Sequence, residues 1–142
     1  MKSKRYWEIR KIISKDNDEV KLCDIWMAEI GTNNGSVQSG VRPVLVISNN
    51  INNRYSTVIN VIPMTTKMNK KNLPCHVEIW NYGKYGLTSP STIMVEQIAS
   101  ISKNNLIYKI GELHDASLLI RICKAMEAQF PMLEIIQNKA IH

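Results

Sequence analysis

Short β-branched runs, each cut off by turn-forming residues, fill the middle of this chain and leave room for little except a small, mainly antiparallel β fold. Leu22 to Ile30 is apolar and aromatic, with Trp26 and Met27 at its centre. Val44-Leu45-Val46-Ile47 lies between Pro43 and Asn49-Asn50, and Val58 to Ile62 lies between Ser56 and Pro63. His76-Val77-Glu78-Ile79 alternates polar and apolar residues, the pattern of a half-buried strand. Thr92 to Ile101 reads as one longer strand. Gly31 to Gly40, with three glycines, and Asn81-Tyr82-Gly83 supply the turns. Frequent turns between short strands predict a small barrel rather than a sandwich. The C-terminal part changes period. Asp115 suits a helix N-cap, and Leu118, Leu119, Ile122, Ala125 and Met126 form a helical stripe that Pro131 ends or kinks. The expected class is therefore mainly β with α, an α+β barrel with a C-terminal helix.

Size and composition exclude several alternatives. A chain of 142 residues with 44% hydrophobic and 21% charged residues is neither disordered nor too short to bury a core. No apolar run approaches the ~20 residues of a membrane span. Glu8 and Arg10 interrupt the basic N-terminus before a secretory apolar region forms. Three widely spaced cysteines without a CxxC pair predict neither a disulfide framework nor a cysteine zinc site, and they fit a reducing, cytoplasmic setting. Residues 1–20 mix Lys, Arg, Asp and Glu and read as an N-terminal extension to a domain over 21–142. Within the extension Tyr6, Ile9 and Ile13 permit one short amphipathic helix.

Charge distribution is more informative than the net +6. No Asp or Glu occurs from Ile30 to Val77, a stretch that carries Arg42, Arg54, Lys67, Lys70 and Lys71 among many Asn, Ser, Thr and Gln. Such a surface suits a polyanion, since cations neutralise phosphates while amides and hydroxyls read edges. Charge alone leaves this reading level with a set of solvated loops.

Ordered blocks then carry a resemblance. Asp24-Ile25-Trp26-Met27-Ala28-Glu29, Gly35-Ser36-Val37-Gln38-Ser39-Gly40-Val41-Arg42-Pro43-Val44, Ile51-Asn52-Asn53-Arg54-Tyr55-Ser56, Pro63-Met64-Thr65-Thr66-Lys67, Leu73-Pro74-Cys75-His76-Val77-Glu78-Ile79 and Val95-Glu96-Gln97-Ile98 resemble the MazF/PemK/Kid toxins in order and spacing. The resemblance spans roughly residues 21 to 129. It implies an SH3-like β-barrel with a C-terminal helix, acting as a homodimer. It implies a metal-independent, cofactor-free endoribonuclease that cuts single-stranded RNA at chosen sequences, held in check by an acidic antitoxin. Two rivals stand beside it: a CcdB-type gyrase poison on the same barrel, and an inactive RNA-binding descendant.

The resemblance also nominates residues. Arg42, in the Arg-Pro pair, matches the family's catalytic arginine, and its guanidinium fits phosphate bidentately. Thr65 matches the catalytic threonine. Ser36 and Gln38 fall in the loop that closes over substrate, and Asn53, Thr66, Lys67 and Gln97 are candidate RNA contacts. His76 occurs in the family's Leu-Pro-x-His-Val setting and reads as structural. Cys23 stands where Gly is common before Asp-Ile-Trp, and Val37 stands where an acid is common. Arg42→Ala is expected to abolish cleavage without unfolding the chain.

Overall fold

Three strands with apolar runs at consecutive positions form the middle of one sheet. They are β1 (Asp24–Glu29), β2 (Val41–Val46) and β3 (Val58–Thr65). The computed structural model describes residues 3–8, 19–31, 40–68, 73–132 and 134–136. Alternate side chains on these strands enter two separate cores. Ile25, Leu45, Ile62 and Met64 lie on one face, and Trp26, Val44, Val46, Ile59 and Val61 lie on the other. Burial on both faces is why these strands read as unbroken apolar runs. Each such side chain contributes about 1.5–3 kcal/mol by leaving water.

Around this centre sit β4 (His76–Ile79), β5 (Ser91–Met94), β6 (Ala99–Ser102) and β7 (Leu106–Glu112). All pairs are antiparallel, in the order β4-β5-β3-β2-β1-β7, with β6 paired to the first half of β3. Helix α1 (Asn50–Tyr55) links β2 to β3, and helix α2 (Ala116–Gln129) follows β7. Leu118, Ile122 and Ala125 of α2 close the first core. Asp115 caps α2 by accepting from Ser117 N at 3.0 Å, and the helix stops just before Pro131. The sheet bends without closing, since no pairing joins β4 to β7 among the described residues. A mainly antiparallel sheet with a C-terminal helix is the class read from the sequence. No helix among the described residues is long and apolar enough to cross a membrane.

Three details differ from the sequence reading. Thr92 to Ile101 is not one strand. It breaks at a 3-10 turn, Val95–Gln97, because β5 and β6 pair with different halves of β3. Pro63, expected to bound β3, instead lies inside it, where β3 passes from β6 to β5, and it brings no N–H to either ladder. Strand β7 was not expected at all. It forms because β1 takes it as a second partner, with two register shifts along the way.

The N-terminal extension is partly described. Residues 4–8 are helical, and Trp7 stacks on Tyr108 of β7 with centroids 6.2 Å apart and planes at 16°. The Ile9 and Ile13 positions of the expected helix lie outside the described residues. Cys23, at the start of β1, holds φ at 71°, a left-handed conformation that explains why glycine suits this position.

Candidate functional site

The β2–β3 ladder pairs Val46 with Val61, Leu45 with Ile62 and Val44 with Pro63. Arg42 lies two residues before Val44 on β2, and Thr65 lies two residues after Pro63 on β3, so both sit beyond the same end of this ladder. Side chains alternate along a strand, so Arg42 shares the face of Val44, and Thr65 shares that of Pro63. The row continues both ways: Thr65 pairs with Thr92, Thr92 with Glu78, and Arg42 with Ala28. Residues 23 positions apart in the chain thus come to the same end of two adjacent strands. Thr66 and Lys67 extend from the end of β3 into solvent beside them.

The electrostatics of this row are uneven. Arg42 is half-buried, and burial pulls its guanidinium below its ordinary pKa while leaving it charged at neutral pH. A partly desolvated cation attracts phosphate more strongly than one in open water. Thr65 Oγ1 accepts from Lys67 N at 3.2 Å, which uses an acceptor site and leaves the hydroxyl proton to donate elsewhere. Thr92 is 2% exposed and lies beside Thr65 as its partner on β5. Glu78, at the β4 end of the row, accepts from Trp80 Nε1 at 3.0 Å. The face is therefore not wholly acid-free, because β4 brings an acid that lies one residue beyond the acid-free stretch. Thr92 and Glu78 were missed as members of the site. The alternation in β4 and β5 was legible, but not the register that joins them to β3.

The remaining nominated residues separate. Gln97 sits in the 3-10 turn at the handover from β5 to β6 and contacts Met94 Sδ at 3.8 Å. Asn53 is 1% exposed, its Nδ2 donates to Ser48 O at 2.8 Å, and its Oδ1 accepts from Ser48 Oγ. Its amide ties the β2–α1 corner together, beside the cavity next to α1. Ser36 and Gln38 lie outside the described residues. The loop that holds them is closed at its base by Ile30 N to Gly40 O at 3.0 Å and Gly40 N to Gly31 O at 3.3 Å. Both closing glycines have positive φ, 92° at Gly31 and 80° at Gly40.

His76 Nε2 lies 2.8 Å from Glu96 Oε1, and Cys75 stands beside both, the one His/Cys/carboxylate group of metal-ligating composition among the described residues. A cavity of about 550 Å³ opens elsewhere, beside α1, with Trp26 and Leu106 in its wall and Ile51 and Tyr55 at its rim. Neither Arg42 nor Thr65 lines it.

Comparison with known proteins gives the chain's relatives. The chain is 38% identical over 115 residues to the endoribonuclease EndoA of Bacillus subtilis, an alignment covering 81% of this chain and 97% of that protein. Its fold matches the Mycobacterium tuberculosis toxin MazF-mt6 with a TM-score of 0.63 at 24% identity, over 76% of this chain and 96% of the other. It also matches a mycobacterial endoribonuclease in complex with its cognate antitoxin, with a TM-score of 0.62 at 19% identity, over 79% and 95% of the two chains. Residues 21–130 fit the family of PemK-like, MazF-like toxins. With that match across most of its length, the chain belongs to the PemK-like, MazF-like toxins of type II toxin–antitoxin systems.

Proposed function

We propose that this protein is a metal-independent endoribonuclease toxin that cuts single-stranded RNA at preferred sequences, with Arg42 and Thr65 as its catalytic residues. The observation that carries the reading is the pairing of β2 with β3, the adjacent strands that bear Arg42 and Thr65. The 38% identity to an endoribonuclease supports the reaction class.

The substrate's own 2′-hydroxyl attacks the adjacent phosphorus and the 5′-oxygen leaves, giving a 2′,3′-cyclic phosphate and a 5′-hydroxyl. The nucleophile is already tethered, so positioning lowers much of the barrier. Charge builds on the phosphoryl oxygens, and the Arg42 guanidinium stabilises it through paired N–H donors. Charged at neutral pH even with its pKa lowered by burial, Arg42 is a poor free base but a competent donor toward the leaving oxygen. Thr65 Oγ1 donates to the scissile phosphate and orients it. Thr66, Lys67 and Gln97 contact the strand, as do Ser36 and Gln38 in the covering loop.

The functional unit is a homodimer in the cytoplasm, bound there by an acidic, partly disordered antitoxin segment. The net charge of +6 favours such a partner. Support for the dimer comes from Ile51 at 77% and Tyr55 at 76% exposure, an apolar rim on α1. Residues 1–20 are an extension to the domain over 21–142, with Trp7 docked on Tyr108.

The test is incubation of purified protein with a long transcript in EDTA. Discrete fragments bearing 5′-hydroxyl ends are expected. Arg42→Ala should cut at least ~100-fold more slowly while melting normally. Uncut RNA with the wild-type protein, or wild-type rates with Arg42→Ala, overturns the reading.

A further inference from the structure

Glu96 meets the adjacent pair Cys75-His76 although β4, a 3-10 turn and β5 lie between them in the chain. One sulfur, one imidazole nitrogen and one carboxylate oxygen all lie within 4.8 Å of one another. The backbone fixes this meeting, because Val95 N donates to Cys75 O at 3.0 Å and so ties the turn before β4 to the 3-10 turn that carries Glu96. The His76 side chain is only 11% exposed and that of Glu96 27%. Beyond the 2.8 Å contact between them, His76 Nδ1 and Glu96 Oε2 are buried with no hydrogen-bond partner. Buried polar atoms are rarely left so, and each needs an explanation.

We propose that Cys75, His76 and Glu96 form a binding site for Zn²⁺, with three protein ligands and a water in the fourth position. A mixed sulfur, nitrogen and oxygen set suits this ion, whereas Mg²⁺ and Ca²⁺ take oxygen alone. Tetrahedral bonds of ~2.0–2.3 Å put ligand atoms ~3.3–3.7 Å apart, so the Cys75 sulfur closes on the other two donors by up to ~1 Å and the His76–Glu96 contact opens by about half that. The Cys75 thiol, kept protonated by burial and by Glu96, loses its proton to solvent. His76 binds as neutral imidazole through Nε2, with its one proton on Nδ1. The orphaned Glu96 Oε2 accepts from the metal-bound water. One proton is released per ion. The site takes no part in strand cleavage and stands whether or not the protein is a nuclease.

Cobalt reports on it directly. Co²⁺ titrated into untagged, reduced protein should give tetrahedral visible bands and a near-ultraviolet thiolate charge-transfer band. Both should saturate at one ion per chain and bleach when Zn²⁺ is added. Cys75→Ser should lose the thiolate band, Glu96→Gln should weaken binding at least ~10-fold, and Cys123→Ser should keep full signal. Zn²⁺ should raise the melting temperature of the wild type and not that of Cys75→Ser. A wild-type protein without the thiolate band, or a Cys75→Ser protein that retains it, overturns the assignment.

Discussion

Cys23 holds a backbone conformation that an L-residue adopts at a cost of roughly 1–2 kcal/mol. It keeps that conformation because its N–H donates to Val46 O and its carbonyl accepts from Leu113 N, both at 2.9 Å. Glycine removes the strain but adds unfolded-state freedom worth roughly 0.5–1 kcal/mol, so Cys23→Gly should stabilise the fold by about 0.5–1 kcal/mol in urea unfolding. Asp115 shows a second residue-scale effect. Its hydrogen bonds from Ser117, and then its contact with Lys84, hold the carboxyl down to about 2, below its ordinary 3.8. A depressed folded-state pKa means that the unfolded chain takes up the proton first. The stabilisation is complete above about pH 4 and fades as pH falls toward 2. Asp115→Asn keeps a capping side chain but loses this dependence, so its melting temperature should fall less steeply than that of the wild type between pH 4 and 2.

At the scale of elements, close backbone approach decides what substitution is tolerated. A Cβ on Gly86 would sit 2.3 Å from Ile110 O, and Gly86 itself holds φ at 79°. Contact and strain act together, so Gly86→Ala should destabilise by about 3 kcal/mol, read as a lower urea midpoint at unchanged slope. The elements most legible in the sequence are those with one unambiguous pattern: the apolar runs of β1 to β3, the alternation of β4 and the capped stripe of α2. Others needed the tertiary partner. β7 is polar in its middle and exists by pairing with β1, and β5 and β6 look continuous until β3 is seen to divide between them. Asn49 to Asn53 reads as turn chemistry, yet Asn49 caps a short helix by accepting from Asn52 N at 2.9 Å, and Asn53 is interior. Of the candidate site, Arg42 and Thr65 were nominated through resemblance, and the burial of Asn53 was not legible because a polar residue in a basic stretch looks like an exposed contact. Cys75, His76 and Glu96 follow no ligand spacing, so no motif announces them.

At the scale of the whole molecule, charge and apolar surface make separate predictions. Ile51 is 77% exposed and lies in the first turn of α1, where an acid does not harm a helix. Ile51→Asp should leave the melting temperature of dilute protein within a few degrees while light scattering reports a monomer in place of a dimer. Net charge governs the polyanion partners, so RNA affinity should fall steeply between 50 and 200 mM salt, and Lys67→Ala should lower the logarithmic salt slope by about 1. The paired glycines that shut the base of the segment over 32–39 have a broader consequence. Two backbone bonds join the chain on either side of that segment, next to the strand bearing Arg42. A sister enzyme's insert of any length can be spliced between these hinges, and the hybrid should sever different words of a message with the same blade.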